Sequence, residues 1–223
     1  MSKTVKVKIC GLTNEEDVKT CICHGADIIG FVVGYPRLPW NLAMQEAKKL
    51  AANVLCPAET CVVAGGPRDK IIKLATEIKP GYIQLHGGES LGDTAFLAEK
   101  LKKIGVKIIK AVFPNTPDLK KAAADFCKAG VYALLFDPRT PENAAAGGIA
   151  DTDMFVTLKN AVNCPVIIAG GINPENAADI IQKTKAQIID LMTGVEKAPG
   201  VKDEKKVKLL FEKIGREQKS DRQ

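Results

Sequence analysis

The 223-residue sequence predicts a single closed (β/α)8 barrel. Three observations carry the prediction. Eight short apolar segments alternate with eight segments of helical periodicity, the order that builds a parallel sheet covered by helices. The apolar segments are near-continuous runs, as parallel strands buried on both faces should be. The length suits one barrel domain, here expected over residues 1–215, followed by a polar tail over 216–223. The runner-up, an open doubly wound dinucleotide sheet, would carry Gly-x-Gly-x-x-Gly after its first strand, and this chain does not.

The elements follow in order. Val5 to Cys10 alternates like a strand and stops at Gly11; Asn14 then caps a helix with Asp17, Val18, Cys21 and Ile22 at helical spacing. Ala26 to Val33 is the second strand, leading through a Pro- and Gly-rich loop to a helix near Ala43–Asn53. Strands three to six are expected at Glu59–Ala64, Tyr82–Leu85, Val106–Phe113 and Val131–Phe136, each followed by a helix. Pro165–Ala169 is the seventh, ending at Gly170-Gly171, and a helix is expected from Pro174 with Asn173 as its cap. Gln187–Met192 is the eighth, and a last helix from about Asp203 sets Val207, Leu210, Phe211 and Ile214 on one face.

Composition narrows the function classes. Hydrophobic content of 46% with 26% charged residues is ordinary for a globular chain, and no apolar run approaches a membrane span. The net charge of +6 comes with only 5% aromatics, which argues against a stacking nucleic-acid surface and favours a mild attraction for anionic metabolites. Seven cysteines lack a repeated spacing, and the first residues run straight into a strand, so reduced thiols and a cytoplasmic location are expected. Cys21-Ile22-Cys23-His24 has no second ligand pair at zinc-site distance, and a helix sends the two thiols to different sides. No metal site is expected.

A barrel places its site at the C-terminal ends of the strands. Those positions hold Cys10, the Gly34-Tyr35-Pro36-Arg37 loop, Gln84, His86, Asp137, Arg139, Gly170, Gly171, Asp190, Thr193 and Gly194. Cys10 reads either as a base or nucleophile, or as a buried structural thiol. Asp137 ends a very apolar strand and reads as a general acid or as a loop cap. His86 reads as a proton shuttle or a hydrogen-bonded loop histidine. The loops after strands seven and eight are where barrels commonly hold phosphate, although Gly170-Gly171 also fits a plain tight turn. A thiol base opposite a carboxylic acid, with a phosphate grip, suits an isomerase acting on a phosphorylated sugar without metal or organic cofactor.

Several motifs occur together: Lys8-Ile9-Cys10-Gly11-Leu12-Thr13, Gln84-Leu85-His86-Gly87, Leu134-Leu135-Phe136-Asp137 with Gly147-Gly148, Ala169-Gly170-Gly171-Ile172-Asn173-Pro174, and Thr193-Gly194-Val195-Glu196. In this combination the chain resembles the phosphoribosylanthranilate isomerase family of tryptophan biosynthesis, from Val7 to about Phe211. The resemblance implies an Amadori rearrangement with Cys10 as general base and Asp137 as general acid. It further implies phosphate held by Gly170, Gly171, Thr193 and Gly194, Asp190 near the substrate amine, and Gln84 and His86 at the substrate. The implied partner is a small phosphorylated molecule, with the chain a monomer or homodimer. Two departures touch the aglycone end. Trp40 stands where the family's carboxylate-binding arginine belongs, which leaves Arg37 as the expected stand-in, and Asp151 stands where a lysine is usual. A paralogous isomerase for another phosphorylated sugar or amino-sugar, and a non-catalytic phosphometabolite-binding barrel, are the alternatives.

Overall fold

The computed structural model describes residues 5–139 and 148–215; the expected tail and Gly147 lie outside the described residues. Eight parallel strands close on themselves: β1 (Lys6–Ile9), β2 (Ile28–Val33), β3 (Glu59–Ala64), β4 (Tyr82–Leu85), β5 (Lys107–Val112), β6 (Ala133–Phe136), β7 (Val166–Ala169) and β8 (Ile188–Leu191). β1 pairs with both β2 and β8, which completes the barrel. The helices are α1 (Glu15–Cys23), α2 (Met44–Ala51), α3 (Arg68–Ile78), α4 (Leu91–Lys102), α5 (Leu119–Lys128), α6 (Thr152–Ala161), α7 (Ala177–Thr184) and α8 (Glu204–Lys213). Among the described residues no helix is long and apolar enough to cross a membrane.

Period-2 alternation sorts each strand into two cores. Val7, Ile9, Ile29, Phe31, Leu134 and Phe136 point outward and meet the helices. On that side α6 docks by Phe155, whose ring lies 6.3 Å from that of Phe136, and burying such a ring contributes about 1.5–3 kcal/mol. Ile28, Cys61, Ile109, Leu135, Ile167 and Ile188 fill the inside. Above this interior plug the inward positions turn polar, and the site begins.

Local chemistry sets the element ends. Asn14 caps α1 by accepting from the Asp17 N–H at 2.8 Å, and Ser90 caps α4 by accepting from the Asp93 N–H at 3.0 Å. Asp151, the residue in place of the usual lysine, caps α6 by accepting from the Asp153 and Met154 N–H groups. α7 begins at Ala177, later than expected. Asn173 does accept as a cap, from the Glu175 and Asn176 N–H groups, but the chain there forms a turn before the regular helix.

Three features depart from the expectation. A two-residue strand, Asn41–Leu42, extends the sheet beside β2. A small antiparallel ribbon joins Glu196–Ala198 to Val201–Lys202. Cys127 and Cys164 form a disulfide with Cα atoms 5.8 Å apart, which corrects the expectation that all thiols are reduced. The two lie 37 residues apart, and packing of the α5 end beside the segment entering β7 brings them together.

Candidate active site

A cleft at the C-terminal end of the barrel encloses about 520 Å3, counting the space at its open mouth. Cys10, Val32, Tyr35, Leu38, Trp40, Val63 and Met192 make a largely apolar wall. Gln84, His86, Asp137, Arg139 and Asp190 make the polar wall.

β1 and β8 build the floor. Lys8 sits opposite Asp190 in the sheet register, and its ammonium donates to both carboxylate oxygens, at 3.0 and 2.9 Å. Lys8 is fully buried and the Asp190 side chain is 7% exposed. Burial pulls the Lys8 ammonium down, but the charges of Asp190, Cys10 and Cys61 outweigh it and hold Lys8 above its ordinary value. Burial pushes the Asp190 carboxyl up, against the pull of Lys8. Two residues along β1, Cys10 is buried at the pocket wall. Burial pushes its thiol up, and Lys8 opposes this through its charge and a hydrogen bond. Deeper in the barrel, Cys61 is pushed up to about 12, again by burial, so it stays an inert thiol. Gly30 on β2 makes room for Cys10: a Cβ there would lie 2.7 Å from the Cys10 Sγ.

β4 and β6 build the polar wall. Asp137 follows β6 and is nearly inaccessible. Arg139 clasps it: Nε donates to Oδ1 at 2.9 Å, Nη2 to Oδ2 at 3.0 Å, and the Arg139 backbone N–H to Oδ1 at 2.9 Å. Gln84 Nε2 donates to His86 Nδ1 at 3.1 Å, and His86 Nε2 then donates to the Arg139 carbonyl at 3.3 Å. That pair of bonds assigns the proton of a neutral ring to Nε2. Burial, the largest influence, lowers the His86 pKa, which agrees with a neutral ring. Both nitrogens are therefore engaged, and the ring ties the end of β4 to Arg139. The Gln84 Oε1 atom is buried with no hydrogen-bond partner among the described residues.

The apolar wall is fixed from behind. Trp40 Nε1 donates to Glu196 Oε1 at 2.9 Å, and the fully buried Lys202 ammonium donates to the same oxygen at 2.7 Å. Lys202 also donates to the carbonyls of Cys10 and Met192, at 2.6 and 3.2 Å. The ribbon after β8 thus holds the indole and the Cys10 backbone in one network. Arg37 does not join the pocket. The turn from Tyr35, closed by the Leu38 N–H on the Tyr35 carbonyl at 2.9 Å, sends Tyr35, Leu38 and Trp40 inward and leaves Arg37 exposed. A guanidinium on that outer side keeps its hydration.

Met192, at the start of the loop after β8, lines the cleft, whereas Gly170, Gly171, Thr193 and Gly194 are not among the described residues that line it. Gly170 and Gly171 both take positive φ, 101° and 64°. Thr193–Val195 forms one turn of 3-10 helix. Gly194 lies so close to the Ile172 carbonyl that a Cβ would strike it, so the two loops pack directly against each other. Among the described residues no three His, Cys, Asp or Glu side chains gather as a metal cluster. Cys21 is buried and Cys23 exposed, as helical spacing demands.

Sequence reasoning missed Lys8 as a site residue, although the alternation of Lys8 and Cys10 with outward Val7 and Ile9 already turned it inward. It also missed Glu196 and Lys202, whose pairing depends on a three-residue strand with no periodicity to read.

Fold and cleft together define a (β/α)8-barrel enzyme with thiol, carboxyl and cationic groups gathered at the mouth of the barrel. Residues 7–213 match the family described as N-(5'phosphoribosyl)anthranilate (PRA) isomerase, and the chain belongs to that family. The N-(5'-phosphoribosyl)anthranilate isomerase of Rhodopseudomonas palustris strain BisB5 is 33% identical over 208 residues, covering 90% of this chain and 91% of the relative. A phosphoribosylanthranilate isomerase solved in complex with reduced 1-(o-carboxyphenylamino)-1-deoxyribulose 5-phosphate superposes with a TM-score of 0.79 at 26% identity, covering 94% of this chain and 98% of that one. Monomers generated from the dimeric Thermotoga maritima isomerase give 0.77 at 26% identity, with the same coverage.

Proposed function

We propose that this chain converts N-(5-phosphoribosyl)anthranilate to 1-(o-carboxyphenylamino)-1-deoxyribulose 5-phosphate in tryptophan biosynthesis. The observation that carries the reading is one cleft lined by a thiol just after β1 and a carboxyl after β6, in a chain of this family. Asp137 delivers a proton to the furanose ring oxygen, opening the ring to the Schiff base. The Cys10 thiolate takes the proton from C2. Two protons leave, from C2 and its hydroxyl, and two arrive, at the ring oxygen and C1, so the isomerisation balances.

Lys8 offsets the cost of ionising a buried thiol, and Asp190 keeps that ammonium in place beside the substrate nitrogen. Gln84 Oε1, a buried acceptor without a partner among the described residues, suits a substrate hydroxyl. Gly170, Gly171, Thr193 and Gly194 aim backbone amides at the phosphate. His86 contributes to substrate binding by ordering Gln84 and Arg139. The chain acts as a monomer or homodimer in the cytoplasm, and the dimeric Thermotoga relative supports the second assembly.

The test is loss of anthranilate-adduct fluorescence when purified protein meets phosphoribosylanthranilate. Turnover supports the reading. Folded protein that turns over only a different aldose phosphate favours the paralogous isomerase, which the Trp40 departure motivates. Ligand protection against unfolding without any turnover favours a binding barrel.

A further inference from the structure

The molecule in the relative's complex carries a carboxylate on its aromatic ring, and on the function proposed above, on which this inference rests, the substrate carries one too. A carboxylate entering a cleft this enclosed needs a cation or several donors. Arg37 is exposed outside the cleft. Lys8 lies fully buried beneath it and spends its ammonium on both Asp190 oxygens. The neutral His86 ring uses both nitrogens. Among the described residues Arg139 is the cationic side chain that lines the cleft, in the same enclosure as the indole of Trp40 and the phenol of Tyr35.

Its present partner adds a second point. Three N–H groups of Arg139 hold Asp137, covering both carboxylate oxygens. All three are donors, so Asp137 is held here as an acceptor. To protonate the ring oxygen it must turn an O–H toward the substrate, and opening the fork frees the lone pairs on which that O–H is built. Nη1 is not part of that clasp, so the guanidinium can engage an arriving anion before it lets go of Asp137.

We propose that Arg139 binds the carboxylate of the substrate's aromatic ring and, in swapping partners, frees Asp137 to act as the acid. One anion replaces another, so the guanidinium stays paired throughout. Asp137, released, takes one proton from solvent and passes it to the ring oxygen. A substrate without the ring carboxylate leaves the fork shut. Arg139 thus ties recognition of the aglycone to the chemistry at the sugar.

The experiment compares wild type, Arg139→Met and Arg139→Lys, each checked for an unchanged melting transition. Calorimetry measures binding of reduced 1-(o-carboxyphenylamino)-1-deoxyribulose 5-phosphate and of its phenylamino counterpart without the carboxyl. Wild type is expected to prefer the carboxylated ligand by roughly 10- to 100-fold, the range for a charge-assisted fork. The preference falls below about threefold in Arg139→Met, and Arg139→Lys recovers only part of it, because an ammonium lacks the planar fork.

Turnover supplies a signature that a structural role lacks. Arg139→Met should lower kcat/KM on the anthranilate adduct yet raise kcat on the aniline adduct, whose reaction no longer waits for the fork to open. Equal wild-type affinity for the two ligands, or a wild-type preference retained in Arg139→Met, overturns the assignment. So does a parallel fall on both substrates. A carboxylate preference without turnover of the anthranilate adduct supports Arg139 and sinks the activity; turnover without the preference does the reverse.

Discussion

Replacing Lys8 by Met breaks the floor of the site from one side. The side chain fits the space, but the Asp190 carboxyl loses donors at 3.0 and 2.9 Å while it stays enclosed by the barrel. Removing one member of a buried ion pair typically costs about 3–5 kcal/mol. Replacing both members by apolar groups is often neutral or stabilising by about 1–4 kcal/mol. Lys8→Met is therefore expected to lose about 3–5 kcal/mol by urea denaturation, and Lys8→Met/Asp190→Leu to recover most of that loss. Activity should not recover with it. Lys8 is the stronger of the two cations, with Lys202, that oppose the upward push of burial on the Cys10 thiol. The base acts as thiolate, so kcat/KM rises with pH through the thiol's range, which burial has moved upward. Without Lys8 that rising limb moves higher still in the single variant, and the double variant returns part of that shift, because the Asp190 charge that also pushes the thiol up is gone. A stability loss under about 1 kcal/mol in Lys8→Met, with the limb unmoved, would refute both the pairing and its effect on the base.

Two further substitutions test the space around the site. Gly30→Ala places a methyl 2.7 Å from the Cys10 Sγ, so the thiol must shift. Steady-state kinetics should show kcat down by about 10- to 100-fold with KM little changed, and wild-type kcat would mean the thiol's position does not matter. Gly194→Ala drives a Cβ into the Ile172 carbonyl and parts the two loops. Affinity for inorganic phosphate, measured as competitive inhibition, should fall about tenfold or more, whereas an unchanged inhibition constant removes these loops from phosphate binding.

Much of this architecture was legible in the sequence because parallel barrel strands announce themselves as apolar runs closed by glycine. Each of the eight expected strands appears, with ends shifted by a residue or two. Short elements were not legible. Asn41–Leu42 and the ribbon at 196–202 have too few residues to show a period, yet the ribbon is what anchors Trp40 and the Cys10 backbone. Residue types at strand ends located the thiol and the carboxyl, but not their partners. Lys8 and Asp190 meet across 182 positions, and only closure of β1 on β8 brings them side by side. Asp137 and Arg139 are two residues apart, but whether a guanidinium folds back or reaches out depends on the turn, which composition does not encode. The placing of Arg37 was illegible for the same reason: in its loop the tyrosine, leucine and tryptophan took the inward positions and left Arg37 exposed. The disulfide was illegible because nothing local distinguishes Cys127 and Cys164 from the other five cysteines.

The central claim is that Cys10 and Asp137 carry the proton transfers. It is tested most directly by turnover of phosphoribosylanthranilate by wild type, Cys10→Ser and Asp137→Asn, with each variant's unfolding midpoint measured alongside. General acid–base groups contribute about 10²- to 10⁴-fold, so each variant should lose at least about 100-fold in kcat while remaining folded. Near wild-type kcat in a folded variant would contradict the role given to that residue.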